Sequence, residues 1–327
     1  MTRNPSSRFF RAPASFVIPV FNGEQFVAEA IESCLSQTWS PEKIVVVDDA
    51  STDGTRSLLE RFHKDHPDII EPVFLSENGG RSVALNAGIE RVSTRYCLFL
   101  DADDVSELNR VEKQVQFMDG NPDVFASSGF VRYIDQHGRI FASGTLSVLS
   151  HEDYAVAMAT GEPIGFFSPA TIVRTSVFKD DGLWFRPVFR QAQDIDLWNR
   201  IAEQHVIFAQ PDFVTRYRIH KNAISTQRYL RSQFFFAFIR DCMTRRRNGR
   251  DELTLEAFSE EWDRRSYWKR LSWRIGAESR RHFRMAGFSL AERRYAFFLF
   301  HFFISMVLNP YYAVSKLMHK LNRGASL

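Results

Sequence analysis

The sequence predicts an α/β fold, a mostly parallel sheet flanked by helices, with a helical extension behind it. Short β-branched runs alternate with stretches of helical spacing over the first hundred residues. One of those runs, Tyr96 to Leu100 (YCLFL), is apolar without alternation, as in a strand buried on both faces. From Tyr229 onward the chain changes to Arg-rich and Phe-rich helical sequence. A length of 327 residues fits two structural units, and 44% hydrophobic with 25% charged residues excludes a disordered, collagenous or coiled-coil chain.

The elements follow in order. Ser15 to Val20 (SFVIPV) and Lys43 to Val47 (KIVVV) read as strands, and Glu24 to Gln37 between them sets Phe26, Ala30, Ile31 and Leu35 at helical spacing. Asp53-Gly54 breaks the chain before a helical pattern at Thr55 to His63. Glu71 to Leu75 gives a third strand, Ser82 to Arg91 a third helix, and Tyr96 to Leu100 the fourth strand. Three widely spaced cysteines, Cys34, Cys97 and Cys242, form neither a disulfide framework nor a zinc spacing, so a reducing compartment is expected. Met1 to Pro13 contains no apolar run of signal-peptide length, so export is not expected either.

In open α/β sheets a ligand sits beyond the carboxyl ends of the strands. Those positions are polar and acidic here: Phe21-Asn22-Gly23-Glu24, Asp48-Asp49-Ala50-Ser51-Thr52-Asp53-Gly54 and Asp101-Ala102-Asp103-Asp104. Asp101 and Asp103, one residue apart, can turn two carboxylates into one site, and like charges that close call for a divalent cation with open positions for phosphate oxygens. Taken singly, D-x-D also describes solvated loop or helix-capping carboxylates.

With these loops in order, residues 15–225 resemble glycosyltransferase family 2, which has the GT-A fold and moves a sugar from a nucleoside diphosphate to an acceptor. The match runs through Ile18-Pro19-Val20-Phe21-Asn22, Val47 to Thr55, Asn78-Gly79-Gly80-Arg81, Ala84-Leu85-Asn86-Ala87-Gly88, Asp101 to Asp104, Gln193 to Trp198 and Tyr217-Arg218-Ile219-His220. The resemblance implies a domain over residues 14–225, with 14–118 binding the nucleotide sugar and 119–225 facing the acceptor, and an extension over 226–327. It further implies that Pro19, Val20, Asn22, Glu24, Asn86 and Ala102 belong to the donor site, with Asp48 or Asp49 accepting from the N3–H of a uracil-like ring. Arg81 would bind the diphosphate, although many relatives carry their basic residue at the position of Leu85. Asp101 would contact ribose or metal-bound water, and Asp103 and His220 would hold Mn²⁺ or Mg²⁺. Asp194 would be the base that deprotonates the acceptor, in a motif where Gln193 replaces the family's usual Glu. Asp53 and Asp196 read better as helix-starting carboxylates. Phe166, Phe167, Trp184 and Phe185, on the acceptor side of the family, are at this density also candidates for core.

Charge divides the chain: residues 1–225 carry 22 Lys/Arg and 30 Asp/Glu, a net −8, whereas residues 226–327 carry 20 and 9, a net +11. So basic a tail seeks an anionic surface. It also holds Tyr295 to Leu308 (YAFFLFHFFISMVL), ended by Asn309-Pro310. Fourteen residues reach about 21 Å, short of a hydrocarbon core of roughly 30 Å, so an interface-lying or re-entrant helix is expected, with a buried helix as the plain alternative. The expectation is thus an inverting, metal-dependent transferase acting on a saccharide or lipid-linked acceptor. It would be cytoplasmic and peripheral on the inner membrane face, with no nucleic-acid partner. A sugar-1-phosphate nucleotidyltransferase, lacking here its glycine-rich basic loop, and a catalytically silent docking module are the alternatives.

Overall fold

The computed structural model describes residues 10–219, 229–291 and 294–322. The chain divides into two compact units, residues 1–132 with 145–218, and residues 133–144 with 219–327.

The first unit opens with β1 (Arg11–Val20), α1 (Val27–Leu35), β2 (Ser40–Asp48), α2 (Thr55–Asp65), β3 (Ile70–Phe74), α3 (Arg81–Arg91) and β4 (Tyr96–Phe99). It continues through β5 (Val105–Ser106), α4 (Arg110–Gly120), β6 (Val124–Ser128), α5 (His151–Thr160), β9 (Thr171–Arg174), α6 (Ser176–Lys179), α7 (Gln193–Ala202), β10 (Val206–Ile207) and β11 (Phe213–Arg218). Between β6 and α5 the chain forms β7 (Phe130–Ile134) and β8 (Ile140–Gly144). Seven strands form one sheet in the order β10-β6-β9-β4-β1-β2-β3. All neighbours in it run parallel except β9, antiparallel to both β4 and β6. This is the mixed α/β, Rossmann-like architecture that the alternating strand and helix patterns predict.

The register explains where a site can form. Val20 pairs with Asp48 and Val17 with Phe99, so β1, β2 and β4 deliver their carboxyl ends to one edge of the sheet. Phe16, Ile18, Ile44, Val46 and Leu98 lie fully buried between the layers with Ile31 and Leu59 from α1 and α2. α3 approaches the sheet closely because it carries Gly88, where a Cβ would stand 2.5 Å from Val17 Cγ1 and 3.0 Å from Val47 Cγ2. That close approach carries Arg81, the first residue of α3, to the carboxyl edge. The three cysteines are buried and unbridged.

The second unit contains α8 (Tyr229–Arg247), α9 (Leu255–Asp263), α10 (Tyr267–Ala291), α11 (Tyr295–Leu308) and α12 (Pro310–Asn322). Its aromatic core joins α8 to α9 through Phe234, Phe238, Phe258 and Trp262, with Trp262 meeting Trp273 of α10 at 4.8 Å between ring centres. Among the described residues no helix is long and apolar enough to cross a membrane.

Candidate active site

The loops after β1 and β2 are sewn together by side chains. Asn22, at φ 51°, accepts from the Thr52 N–H at 2.8 Å, and its own N–H donates to Ser51 Oγ at 2.8 Å. Glu24 Oε2 accepts from the Gly54 N–H at 2.6 Å, while the Glu24 N–H donates to Asp53 Oδ2 at 3.1 Å. Asp49 spends both oxygens on the N–H groups of Gly79 and Gly80, at 2.8 and 2.9 Å. Gly80 sits at φ 86°, a left-handed conformation that glycine adopts without strain, and from there the chain turns into α3. Asp48 is also buried, with Oδ1 accepting from the Ser51 N–H at 3.0 Å. Pro19 and Val20 end β1 directly beneath these loops, and the nearest side-chain atoms that a Cβ at Gly23 would meet belong to Val20 and Ala102.

Beyond β4 the carboxylates of Asp101, Asp103 and Asp104 bring ligand atoms within 4.8 Å of one another. Burial raises the Asp101 carboxyl; Arg81 pulls it back and Asp103 adds to the rise. Burial also raises Asp104 well above its ordinary value, with Asp103 and Asp101 adding repulsion. Two arginines to which the sequence assigned no role act on this cluster, Arg218 by direct contact and Arg110 through its charge. Arg218 at the end of β11 donates its N–H to Asp104 Oδ1 at 2.7 Å, its Nε to the Asp103 carbonyl at 2.7 Å and its Nη2 to Glu29 Oε2 at 2.6 Å. Arg110, fully buried in the first turn of α4, donates to the carbonyls of Phe99 (2.8 Å) and Pro169 (2.7 Å), to Thr215 Oγ1 (3.1 Å) and to Gln114 Oε1 (2.8 Å). Its partners are neutral, so its positive charge is left to act on Asp104 and Asp101; burial nonetheless lowers its pKa to about 10.

Arg81 ties the acidic loop to the other side of the site. It forms an ion pair with Asp101, donates to Ser168 Oγ at 3.3 Å and feels the charge of Asp194. Burial works against its charge, but Asp101, Asp194 and Tyr217 together outweigh burial and the guanidinium pKa is raised. Asp194 lies in the first turn of α7, behind Ala192 at φ 57°, a strained conformation for a residue with a Cβ. Burial raises the Asp194 carboxyl above the usual carboxylate range, and Arg81 draws it part of the way back. Asp196, two residues on, points into the core between Arg186 and Arg200, which makes it the helix-fixing carboxylate that its position suggests.

Asn86 does not face this edge freely. Its amide donates to the Phe185 carbonyl at 2.8 Å and accepts from the Phe185 N–H at 3.1 Å, so it fixes the loop before α7. Phe166 and Phe185 are core, packed with Phe99 around Trp198, rather than faces offered to a sugar. His220 lies outside the described residues.

The donor set fits a hard divalent cation: three clustered carboxylates, with Asp104 Oδ2 buried and without a hydrogen-bond partner. Asp101 and Asp103 are the members with solvent access.

The family model for glycosyl transferase family 2 matches residues 15–180, half of the chain, over the loops that gather these carboxylates. An uncharacterized glycosyltransferase of Haemophilus influenzae is 28% identical over 219 residues, covering 65% of this chain and 67% of the relative. A putative teichuronic acid biosynthesis glycosyltransferase of Bacillus subtilis, TuaG, is 36% identical over 116 residues, 36% of this chain and 46% of that one. Among solved structures, S. aureus TarS 1–349 in complex with UDP-GlcNAc aligns at 17% identity with a TM-score of 0.54, covering 91% of each chain. The mannosyltransferase PcManGT from Pyrobaculum calidifontis, in complex with GDP-Man and Mn²⁺, aligns at 19% identity with a TM-score of 0.55, covering 96% of this chain and 80% of that one. At such identities the two structures speak for the fold, and the fold is theirs: a GT-A sheet. The family model speaks for descent, and this chain belongs to glycosyl transferase family 2.

Proposed function

We propose that the enzyme transfers a sugar, with inversion, from a UDP-linked donor to a saccharide or lipid-linked acceptor. It would work in surface-polysaccharide or glycolipid synthesis, on the inner face of the cytoplasmic membrane. One observation carries this reading. Arg81 is ion-paired to Asp101 and within the field of Asp194, so the residues assigned to the leaving diphosphate and to the acceptor proton are electrostatically linked through one guanidinium. The names of the Bacillus relative and of the UDP-GlcNAc complex favour a polysaccharide product and a UDP donor.

In this reading Pro19, Val20, Asn22, Glu24 and Ala102 line the base and ribose. Asp48 takes the N3–H of the pyrimidine, because Asp49 has committed both oxygens to Gly79 and Gly80. Asp101 and Asp103, with His220 added from the family resemblance, hold Mn²⁺ or Mg²⁺, which when bound would neutralise charge on the departing diphosphate. Arg81 exchanges part of its pairing with Asp101 for phosphate oxygens, a charge-assisted contact that strengthens as the bond to the sugar breaks. Asp194 removes the proton from the acceptor hydroxyl, which is a poor nucleophile until then. Its raised pKa makes it a stronger base than an exposed aspartate. Asn86 acts one step removed, by setting the loop that leads into α7.

The deciding experiment offers UDP- and GDP-sugars with Mn²⁺, Mg²⁺ or EDTA, and follows nucleotide release and the anomeric configuration of the product. UDP release that needs the metal, with an inverted product, is expected. Turnover in EDTA, or a retained configuration, would overturn the mechanism.

A further inference from the structure

In α11 the one fully buried residue is polar, Phe302 packs inward against Phe283 of α10, and the most exposed side chains are large and apolar. Ser305, fully buried, exchanges hydrogen bonds with Ser279 of α10, Oγ to carbonyl in both directions at 3.0 and 2.9 Å. His301 meets His282 of α10 with their Nδ1 atoms 2.8 Å apart. The opposite side carries Tyr295 at 60% exposure, Leu299 at 62%, Phe300 at 58%, Phe303 at 68% and Val307 at 65%. At 100° per residue these five fall in one arc of the helix. After the break at Asn309-Pro310, α12 repeats the arrangement: Ala313 is buried, while Tyr311 is 85% and Met318 52% exposed.

In water this arrangement is unfavourable, since large apolar side chains stay hydrated while hydroxyl and imidazole pairs take up part of the buried seam beside Phe283 and Phe302. In hydrocarbon it is favourable, because small and polar residues then make the helix contacts and apolar ones meet lipid. Helices of 14 and 13 residues reach only about 20 Å, below the roughly 30 Å of a bilayer core, so the pair can enter a leaflet and not cross it. Charge names the occupant. Residues 295–327 contain Lys316, Lys320 and Arg323 and no Asp or Glu, and Arg294 precedes them. An anionic headgroup layer complements that charge, whereas a second copy of the same face would repel it.

We propose that the α11–α12 hairpin lies in the boundary between headgroups and acyl chains of an anionic bilayer. Tyr295, Leu299, Phe300, Phe303 and Val307 enter the acyl region and neither helix crosses. The inference rests on the membrane location proposed above and adds how the chain is held there.

Flotation of the full chain tests it, on vesicles of phosphatidylcholine alone and of phosphatidylcholine with phosphatidylglycerol. The wild-type chain should float with the anionic vesicles, less with the neutral ones, and be partly released by high salt. The double substitution Leu299→Asp, Phe303→Asp should lower the bound fraction at least about tenfold and leave nucleotide release from the donor unchanged; Phe303→Trp should bind like wild type. If the wild-type chain floats with no vesicle, the membrane location itself fails. If it floats and the double variant floats equally, the location stands and the hairpin assignment fails. If light scattering shows a wild-type dimer that the double variant dissociates, with no vesicle binding, the face joins two copies and the inference is overturned. Extraction by detergent alone, insensitive to salt, would likewise overturn an interfacial position in favour of a spanning one.

Discussion

In the first unit, Phe99, Phe166, Phe185 and Trp198 close on one another inside the fold, and charged groups crowd the carboxyl edge of the sheet. In α11 the assignment is reversed: Phe300 and Phe303 are more than half exposed, while Ser305 is buried against Ser279. The same residue types thus take opposite exposures in the two units. What separates them is the identity of the buried partner. A Trp surrounded by Phe is burial from water; a Ser paired with a Ser beneath exposed phenylalanines is the feature on which the proposed lipid contact rests.

The sharpest way to break this contrast is at the charged edge of the first unit. Asp103→Asn should lower metal-dependent transfer by about 10³-fold, because an amide neither balances nor holds a divalent cation. Near-normal turnover in a folded variant would remove Asp103 from the metal site. Asp194→Asn should cost about 10² to 10⁴ in transfer while calorimetry shows donor affinity little changed, since only proton removal is lost. Loss of donor binding would move Asp194 into the nucleotide site. Its pH profile follows from the same carboxyl. Asp194 must be ionised to act, and burial has raised its pKa, so the acid limb of transfer should fall at a higher pH than an exposed aspartate would give and should vanish in the Asn variant.

Smaller effects should separate edge from core. Asp196→Ala leaves Arg186 and Arg200 without their buried carboxylate and should destabilise the first unit by about 3 to 5 kcal/mol, read as a lowered midpoint in denaturant. Gly88→Ala gains helix propensity but drives a methyl against Val17, so a net loss of about 1 to 2 kcal/mol is expected in the same measurement. No loss there would mean that α3 can step back from the sheet, and transfer should then suffer through Arg81.

Much of the site could be read from the sequence because the chemistry follows strand ends. Asp48, Asp49 and Asp101 to Asp104 come directly after runs that could hardly be other than strands, and parallel pairing then brings those ends to one edge. Less legible are the side chains spent on distant partners. Asn86 stands in a motif with the donor loops, yet its amide is bound to Phe185, 99 residues away. Arg110 gives no local sign of its place beneath the carboxylates, since its partners Pro169 and Thr215 are 59 and 105 residues distant. An arginine in the first turn of a helix reads as a surface residue unless the sheet order is known.

The sequence by itself determined the order of the first four strands and three helices, the acidic loops and the division into an acidic front and a basic, aromatic tail. All of these depend on neighbours a few residues apart, through backbone preference and the period of apolar positions. Only the tertiary structure decided which carboxylates cluster beyond β4 and which are spent on backbone N–H groups or buried arginines. It alone decided that Asp49 holds a glycine turn while Asp194 feels the charge of Arg81, and that Phe300 and Phe303 of α11 turn outward. Those outcomes depend on which surfaces of distant segments meet. A side chain's role is then set by whether the groups around it satisfy its hydrogen bonds and charge or leave them for a ligand.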